Sequence, residues 1–196
     1  MTKMKKSLKE FTKHDWDTLF PIQLVDHNPE WKHIFEAEKQ KILEVTNNQY
    51  FKSVEHFGSS SIPAIKSKPY IDILIEIPRK YLFDSQLIAQ LKRIGYTCLT
   101  EATNDKDNYM ILAKGYHTDG TCEQVFHIHA YPENHSMLAQ LQFRDYLIEN
   151  PTRAQEYENL KLDLSHRFKN DRSGYRIAKT NFIKETLEII QKHNHS

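Results

Sequence analysis

The chain has 196 residues, with 27 Lys and Arg against 26 Asp and Glu, which gives a formal net charge of +1. This length can bury one hydrophobic core, and the balanced charge creates no overall field that would gather nucleic acid or an anionic membrane. No apolar run approaches the roughly 20 residues that span a bilayer, and the two cysteines form no CxxC pair, so we expect a cytoplasmic protein without a disulfide.

The beginning of the chain predicts a short helix followed by the main domain. Apolar residues between positions 4 and 20 indicate a helix that Pro21 ends, so we divide the chain into an N-terminal leader helix, residues 1–21, and a single domain, residues 22–196. Residues 22–25 are expected to form a strand. Asn28 is then expected to cap the first long helix, with Pro29 at its first position.

Strands and helices interleave after this first helix. A helix is expected from Asp84 or Ser85 to Ile94, and strands are expected at residues 51–57, 69–77, 96–99, 109–114 and 123–131. Alternation in the second of these strands places Tyr70, Asp72, Leu74 and Glu76 on one face and four isoleucines on the other.

The last third of the chain predicts helices over residues 136–149, then to 168, and finally from 172 to 192. Strands that interleave with helices, followed by helices alone, predict an α/β (α+β) domain: a mixed sheet with flanking helices and a helical C-terminal layer. The basic residues of this layer alternate with acidic ones, so we interpret them as a solvated face with local ion pairs, with a binding patch as the alternative. They are Lys161, Arg167, Lys169, Arg172, Arg176, Lys179 and Lys184.

A glycine and three serines follow directly after the predicted strand 51–57. Because glycine has no Cβ, a Gly-Ser loop at the end of a strand can bring backbone N–H groups and hydroxyls close to a phosphate. Gly58, Ser59 and Ser60 are therefore candidate phosphate-binding residues. A purely structural turn fits the same segment, since Gly-Ser turns between strands are common.

Asp72 lies in a strand that otherwise consists of isoleucine, leucine and tyrosine with one glutamate. A carboxylate in such a place must be paired, line a cleft or bind a metal, so Asp72 is the candidate metal ligand and catalytic residue. Lys68 could contact a phosphate as a point charge, or could be solvated surface. His56 could contact a phosphate or act as a base, or could serve only in packing.

His127 and His129 alternate onto one face of the predicted strand 123–131. If this strand lies beside the strand of Asp72, the three side chains would form a metal site of two histidines and one carboxylate. In the alternative interpretation, the two rings only form hydrogen bonds with neighbouring tyrosine or glutamate residues.

The stretch Val54–Ile75, VEHFGSSSIPAIKSKPYIDILI, resembles the central motif of the GrpB family. Five further segments are similar to the family: LVDHNPEWKHIFEAE from Leu24, FHIHAY from Phe126, FRDYL from Phe143, YENLK from Tyr157 and YRIAKTNFI from Tyr175. The resemblance covers most of the chain. It implies a sheet of the minimal nucleotidyltransferase type, in which the Gly-Ser loop holds nucleotide phosphates and carboxylates on the next strand hold Mg²⁺.

The chain departs from an active nucleotidyltransferase at one position of this motif. Such enzymes present Asp-x-Asp or Asp-x-Glu, whereas here Leu74 follows Asp72 at that spacing, and histidines stand where a third acidic residue is expected. Imidazole suits Mn²⁺, Zn²⁺ or Fe²⁺ better than Mg²⁺. We therefore expect a divalent metal, Mg²⁺ or Mn²⁺ with Zn²⁺ as a further option, and a nucleoside triphosphate or another phosphate-containing small molecule.

Three functions remain open from the sequence. The chain could transfer a nucleotidyl group from a nucleoside triphosphate to an acceptor, or it could bind nucleotide or metal without transfer. Alternatively, it could act through its C-terminal helices as a contact surface. The acceptor, the nucleotide, the metal and the oligomeric state are not determined by the sequence.

Overall fold

The computed structural model describes residues 6–103 and 108–193, so the first five residues of the predicted leader lie outside the described part. Within these ranges a five-stranded sheet has the order β1-β2-β5-β4-β3. The central pair, β2 and β5, is parallel, and the other neighbouring strands are antiparallel. The strands are β1 (Ser53–Phe57), β2 (Tyr70–Ile77), β3 (Thr97–Cys98), β4 (Met110–Tyr116) and β5 (Cys122–Pro132).

Helices flank the sheet and form the C-terminal layer, as the sequence predicted. They are α1 (Lys13–Leu19), α2 (Trp31–Val45), α3 (Ser85–Arg93), α4 (Ala139–Glu149), α5 (Pro151–Arg167), α6 (Arg172–Ala178) and α7 (Thr180–His193). The α/β prediction is therefore confirmed. None of the helices in the two described ranges is long and apolar enough to cross a lipid bilayer.

Side-chain caps set several of the helix starts. Asp84 accepts a hydrogen bond from the backbone N–H of Leu87 at 2.8 Å, which fixes the start of α3 where the sequence predicted it. The predicted cap of α2 is displaced: Asn28 accepts from the N–H of Glu30 at 3.0 Å in a turn, and the helix begins only at Trp31.

Two predicted elements differ from the structure. Residues 22–25 do not form a strand, because only Val25 makes an isolated bridge, to Ser67, while the N–H of Ile22 donates to the carbonyl of Lys169 at 2.8 Å. The predicted helix over residues 172–192 is broken at Lys179, which separates α6 from α7.

The two faces of β2 have different surroundings, and we name them the dry face and the cleft face. On the dry face, the four isoleucines at 71, 73, 75 and 77 have no exposed surface and pack with residues of α2 and α3. The cleft face carries Asp72 and is turned toward the C-terminal helices. The predicted alternation of this strand is therefore confirmed, and it separates the apolar core from the candidate site.

Candidate metal and anion site

Strand pairing brings the predicted site residues onto one face of the sheet. Asp72 of β2 is paired with Phe57 of β1 on one side and with His127 of β5 on the other. Leu74 is paired in the same way with His129. Because paired residues on neighbouring strands point to the same side, all five side chains lie on the cleft face.

The side chains of Asp72, His127 and His129 converge to within metal-ligand range. One ligand atom from each lies within 4.8 Å of the other two. Nδ1 of His127 is 3.0 Å from Oδ1 of Asp72, and Nε2 of His129 is 3.8 Å from the same oxygen. The structure thus places side by side the three residues that the sequence proposed as ligands.

A second layer of contacts orients His127. Its Nε2 is 2.9 Å from the hydroxyl of Tyr116, and Nη2 of Arg172 donates to that hydroxyl at 3.4 Å. A fixed partner on one ring nitrogen determines which nitrogen is free to bind a metal. Tyr116 therefore leaves Nδ1 of His127 directed toward Asp72.

The protonation states of Asp72 and His127 are those that favour binding of a metal cation. Burial raises the pKa of Asp72, but the hydrogen bond to His127 and the nearby ring of His129 outweigh it and hold the pKa of the carboxyl well below its usual value. Burial lowers the pKa of His127, although Asp72 opposes this shift. An ionised carboxylate beside a neutral imidazole is the form in which these groups bind metals.

Gly58 brings the Gly-Ser loop against Asp72. Its φ is +73°, and a Cβ at this position would lie 2.7 Å from Oδ2 of Asp72. Only glycine fits both the backbone conformation and this close approach. The turn is held by Ser61, whose hydroxyl donates to the carbonyl of Gly58 at 2.6 Å. Ser59, the next residue, lines the cleft.

The structure does not bring His56 and Ser60 into the cleft. His56 is paired with Ile73 and so lies on the dry face, where its ring stacks on Phe35 with 4.9 Å between ring centroids. Its Nε2 is 3.1 Å from the hydroxyl of the buried Ser60. Burial lowers the pKa of His56 to about 4. These two residues support the Gly-Ser loop from behind.

A cleft of about 660 Å³ separates the cleft face of the sheet from the C-terminal helices. Asp72 is the only acidic residue in its described lining, which also contains the predicted residues Gly58, Ser59, Lys68, His127 and His129. Six cationic side chains line the same cleft: Lys68, Arg144, Lys161, Arg172, Arg176 and Lys179. The protein is nearly neutral overall, so this cleft concentrates positive charge locally.

Most of these cations have no carboxylate partner. Arg144 is used elsewhere, since it donates to the carbonyl of His56 at 2.6 Å and lies 3.6 Å from Glu55. Within the described ranges the other five form no ion pair. Burial and the charge of Arg172 lower the pKa of Lys68 to about 7. An anion bound beside Lys68 would favour the charged form of this lysine.

Comparison of the sequence with models of known protein families identifies the family of this chain. The model of the GrpB protein family matches residues 21–189. The chain belongs to the GrpB family. The resemblance stated from the sequence is therefore confirmed, and it extends over the sheet, the Gly-Ser loop and the C-terminal helices.

The chain is also similar to individual GrpB proteins. Glutamate-rich protein GrpB of Alkalihalophilus pseudofirmus is 32% identical over 167 residues, which cover 85% of this chain and 94% of that protein. UPF0157 protein YqkA of Bacillus subtilis is 32% identical over 87% of this chain, but the match spans only 48% of YqkA. The crystal structure of the conserved protein GrpB from Enterococcus faecalis is 28% identical, covers 89% of this chain and all of that chain, and gives a TM-score of 0.73.

A remoter comparison is with Cid1 poly(U) polymerase in complex with the UTP analog UMPNPP. It is 14% identical with a TM-score of 0.49, over 88% of this chain and 53% of that chain. A likeness at this level says nothing about ligand or reaction.

In this GrpB-family chain, the position expected for a second carboxylate is closed. Leu74 has no exposed surface and packs with Phe57 and Tyr131. The residue paired with Leu74 on β5 is His129. The side chain available next to Asp72 at this position is therefore an imidazole and not a carboxylate. A pair of metals bridged by two carboxylates therefore has no counterpart among the described residues.

The structure divides the basic residues that the sequence interpreted as a solvated face. Arg167 fits that interpretation, since it pairs with Asp163 at 3.2 Å on the surface of α5. Arg172, Arg176 and Lys179 instead line the cleft. In the continuous helix that the sequence predicted, their spacing of four and three residues would place them on one side, which was the available sequence signal for a common target.

Proposed function

We propose that this chain binds a nucleoside triphosphate together with one divalent metal in the cleft, and transfers its nucleotidyl group to an acceptor. The observation that carries the proposal is the composition of the cleft, where a set of one oxygen and two nitrogen ligands adjoins five cations that have no carboxylate partner among the described residues. Metal ligands next to unpaired positive charge fit a ligand that carries several phosphates.

The donor set of Asp72, His127 and His129 fits a borderline metal. Carboxylate oxygen and neutral imidazole nitrogen favour Mn²⁺, Zn²⁺ or Fe²⁺ over Mg²⁺. Three protein ligands leave coordination positions for a phosphate oxygen. A metal bound there would supply Lewis-acid polarisation of the phosphoryl group.

The chain's own residues would hold the phosphates beside that ligand set. Gly58 presents its backbone without a Cβ, and Ser59 adds a hydroxyl on the same side. Lys68 and Arg172 contribute positive charge to the same cleft, where they also repel one another when it is empty. Phosphate binding would relieve this repulsion and fix the α-phosphorus for attack.

The reaction proposed is a single displacement. An oxygen of the acceptor forms a bond to the α-phosphorus while the bond from that phosphorus to the bridging oxygen breaks. Pyrophosphate leaves with the bridging oxygen, and the proton of the acceptor passes to solvent. No oxidant or reductant is required.

A second candidate function is nucleotide and metal binding without transfer. It is favoured by Leu74, which fills the position of the second carboxylate with a fully buried apolar side chain. Ordinary two-metal transfer uses both carboxylates, so a site with one carboxylate could retain binding and lose the chemistry.

Two measurements test these functions. Calorimetry with a non-hydrolysable nucleoside triphosphate, with and without Mn²⁺, should show metal-dependent binding, and Asp72→Asn should abolish the metal dependence. Incubation of α-labelled nucleoside triphosphates with a metabolite extract should then yield a labelled product that the Asp72→Asn protein does not form. Binding without a labelled product would favour the second function, and the absence of nucleotide binding would exclude both.

A further inference from the structure

The described part of the leader packs against the edge of the metal site. It consists of residues 6–20 and lies before the segment that the GrpB model matches, which begins at residue 21. Trp16 of α1 and Phe20, which follows that helix, contact the ring of Tyr116 edge to face, with 5.0 Å and 4.6 Å between ring centroids. The hydroxyl of Tyr116 is 2.9 Å from Nε2 of His127. Tyr116 therefore connects the leader to a proposed metal ligand.

A β-bulge turns Tyr116 toward this site. Ala113 of β4 is paired with His127 and lies on its face, so regular alternation would place Tyr116 on the opposite face. The register of β4 against β5 instead shifts just before Tyr116, at Gly115. The φ of Gly115 is +93°, and a Cβ there would lie 2.3 Å from the backbone carbonyl oxygen of Gln124, so this position requires glycine. Bulges re-aim side chains beside functional sites, and this one brings Tyr116 to His127.

The hydroxyl of Tyr116 suits both forms of the neutral imidazole. A guanidinium can only donate, so the hydroxyl oxygen accepts from Nη2 of Arg172 at 3.4 Å. A hydroxyl has one proton and two acceptor lone pairs, so it can also either donate to Nε2 of His127 or accept from it. The contact with Nε2 is therefore available in each tautomer, including the one that leaves Nδ1 free for a metal.

The leader also holds Arg172. The backbone carbonyl of Phe20 accepts from Nη1 of Arg172 at 2.8 Å, and the buried carboxylate of Asp17 accepts from the backbone N–H of Arg172 at 2.9 Å. Cζ of Arg172 lies 5.9 Å from the ring centroid of Trp16. The leader thus fixes Tyr116 in two ways, since it packs on the ring and holds the arginine that donates to the hydroxyl.

We infer that the leader is a positioning element of the metal site: it fixes Tyr116, whose hydroxyl orients His127 so that Nδ1 faces the metal. This inference rests on the proposed function for the metal, but the orientation of His127 is a property of the empty protein. A leader that only stabilises the fold would change the unfolding free energy and leave the metal affinity of the folded protein unchanged. A positioning leader changes the metal affinity through Tyr116.

Mn²⁺ calorimetry on full-chain variants that circular dichroism shows to be folded tests this inference. Tyr116→Phe keeps the ring and removes the hydroxyl, and it should weaken Mn²⁺ binding about tenfold, as expected for loss of a partner that orients a ligand. Trp16→Leu, or Phe20→Leu if the first variant does not fold, should weaken binding by a smaller factor. Leu19→Ala is the matched control, because it removes an apolar side chain of the same helix that lies against Gly120, and it should bind Mn²⁺ like the wild type.

A double variant separates positioning from general loosening of the fold. In Tyr116→Phe protein the hydroxyl is absent, so adding Trp16→Leu should cost no further Mn²⁺ affinity. Independent effects would instead multiply in the double variant.

NMR of the metal-free protein, labelled in the ring nitrogens of histidine, supplies a second readout. The signals of His127 are those lost in His127→Gln, and they should shift in Tyr116→Phe and Trp16→Leu but not in Leu19→Ala. Equal Mn²⁺ affinity in Tyr116→Phe, multiplied losses in the double variant, or unchanged His127 signals in Trp16→Leu would overturn the inference. If Mn²⁺ binds with the expected pattern but no nucleoside triphosphate binds, the proposed function fails and this inference stands, whereas absence of Mn²⁺ binding overturns both.

Discussion

Strand β2 presents two faces with opposite physical requirements. The dry face holds four isoleucines, none with exposed surface, and its stabilisation comes from non-directional burial against α2 and α3. The cleft face holds Asp72, which depends on particular partners at particular distances. Residues on the dry face should therefore determine stability, and residues on the cleft face should determine ligand binding.

The largest expected effect is on the dry face. Ile73→Ala should lower the free energy of unfolding by about 2–5 kcal/mol, because it removes buried methylene groups and leaves a cavity in a rigid layer. Urea denaturation measures the loss, and the Mn²⁺ affinity of the folded fraction should remain unchanged. A loss below about 1 kcal/mol, the size of a conservative Ile→Val change, would mean that this face is not closely packed.

On the cleft face, Asp72→Asn should have the reverse effect. The Mn²⁺ affinity should fall about a hundredfold, because the only anionic ligand becomes neutral, while the unfolding free energy should stay the same or rise slightly. The matched control is Glu76→Gln, which removes a carboxylate from the same face of the same strand but outside the cleft lining. Equal Mn²⁺ affinities in wild type and Asp72→Asn would remove Asp72 from the site.

His56 is the exception that sharpens the comparison, since it is an ionisable residue on the dry face. Its pKa is about 4 in the folded protein, against an ordinary value of about 6.5. Between these values the unfolded chain binds a proton that the folded protein does not, so stability is complete above pH 6.5 and falls as the pH drops. The loss should reach about 2 kcal/mol between pH 6.5 and 5.

The measurement for this prediction is urea denaturation of wild type and His56→Gln at pH 7 and pH 5. The glutamine variant should lose less stability over this interval, because its side chain does not titrate. The same pH dependence in both proteins would show that His56 is not held in the neutral form.

The sequence was sufficient for the periodic features of both faces. Alternation in β2 and β5 predicted that Asp72 shares a face with Leu74 and that His127 and His129 point the same way, and both predictions are confirmed. Local patterns contain this information because the side-chain direction in a strand depends only on whether the position is odd or even.

Features that depend on pairing between distant segments were not accessible from local patterns. The register of β1 against β2 places His56 beside Ile73, which puts it on the opposite side from the cleft. A shift of one residue would have exchanged its face, and the sequence of β1 alone does not fix that register. In the same way, the cations of α5 and α6 reach the cleft only through tertiary packing. The charge pattern of the sequence could therefore not tell cleft-lining cations from solvated ones.

Gly58 begins the Gly-Ser loop next to the cleft face, so its substitution should change the metal affinity of Asp72, His127 and His129. Gly58→Ala should lower Mn²⁺ affinity about tenfold, because the new Cβ would lie 2.7 Å from Oδ2 of Asp72 and displace that ligand. Gly95→Ala is the matched control: its φ is +97°, but its Cβ would make only ordinary contacts with Lys114. Both variants should lose about 1 kcal/mol of stability because an alanine is strained at a positive φ. Only Gly58→Ala should also bind Mn²⁺ more weakly.

The smallest expected effect is the protonation of Lys68 that accompanies anion binding. Its pKa is about 7 in the empty cleft, where burial and Arg172 disfavour the charged form. A bound anion favours the protonated form and returns the pKa toward the ordinary value of about 10.4, so the protein takes up a proton on binding. Between pH 7 and 8 the empty cleft loses that proton, and anion affinity should fall about fivefold for this lysine.

Sulfate is a suitable probe of this coupling, because it does not titrate between pH 7 and 8 and needs no metal. Calorimetry at pH 8 in two buffers of different ionisation enthalpy gives the number of protons taken up on binding. Lys68→Met should reduce that number by nearly one and flatten part of the pH dependence, while Lys184→Met should change neither. Proton uptake that is equal in wild type and Lys68→Met would assign the coupling to other groups of the cleft, and the cleft face would then owe its anion affinity to permanently charged side chains such as Arg172.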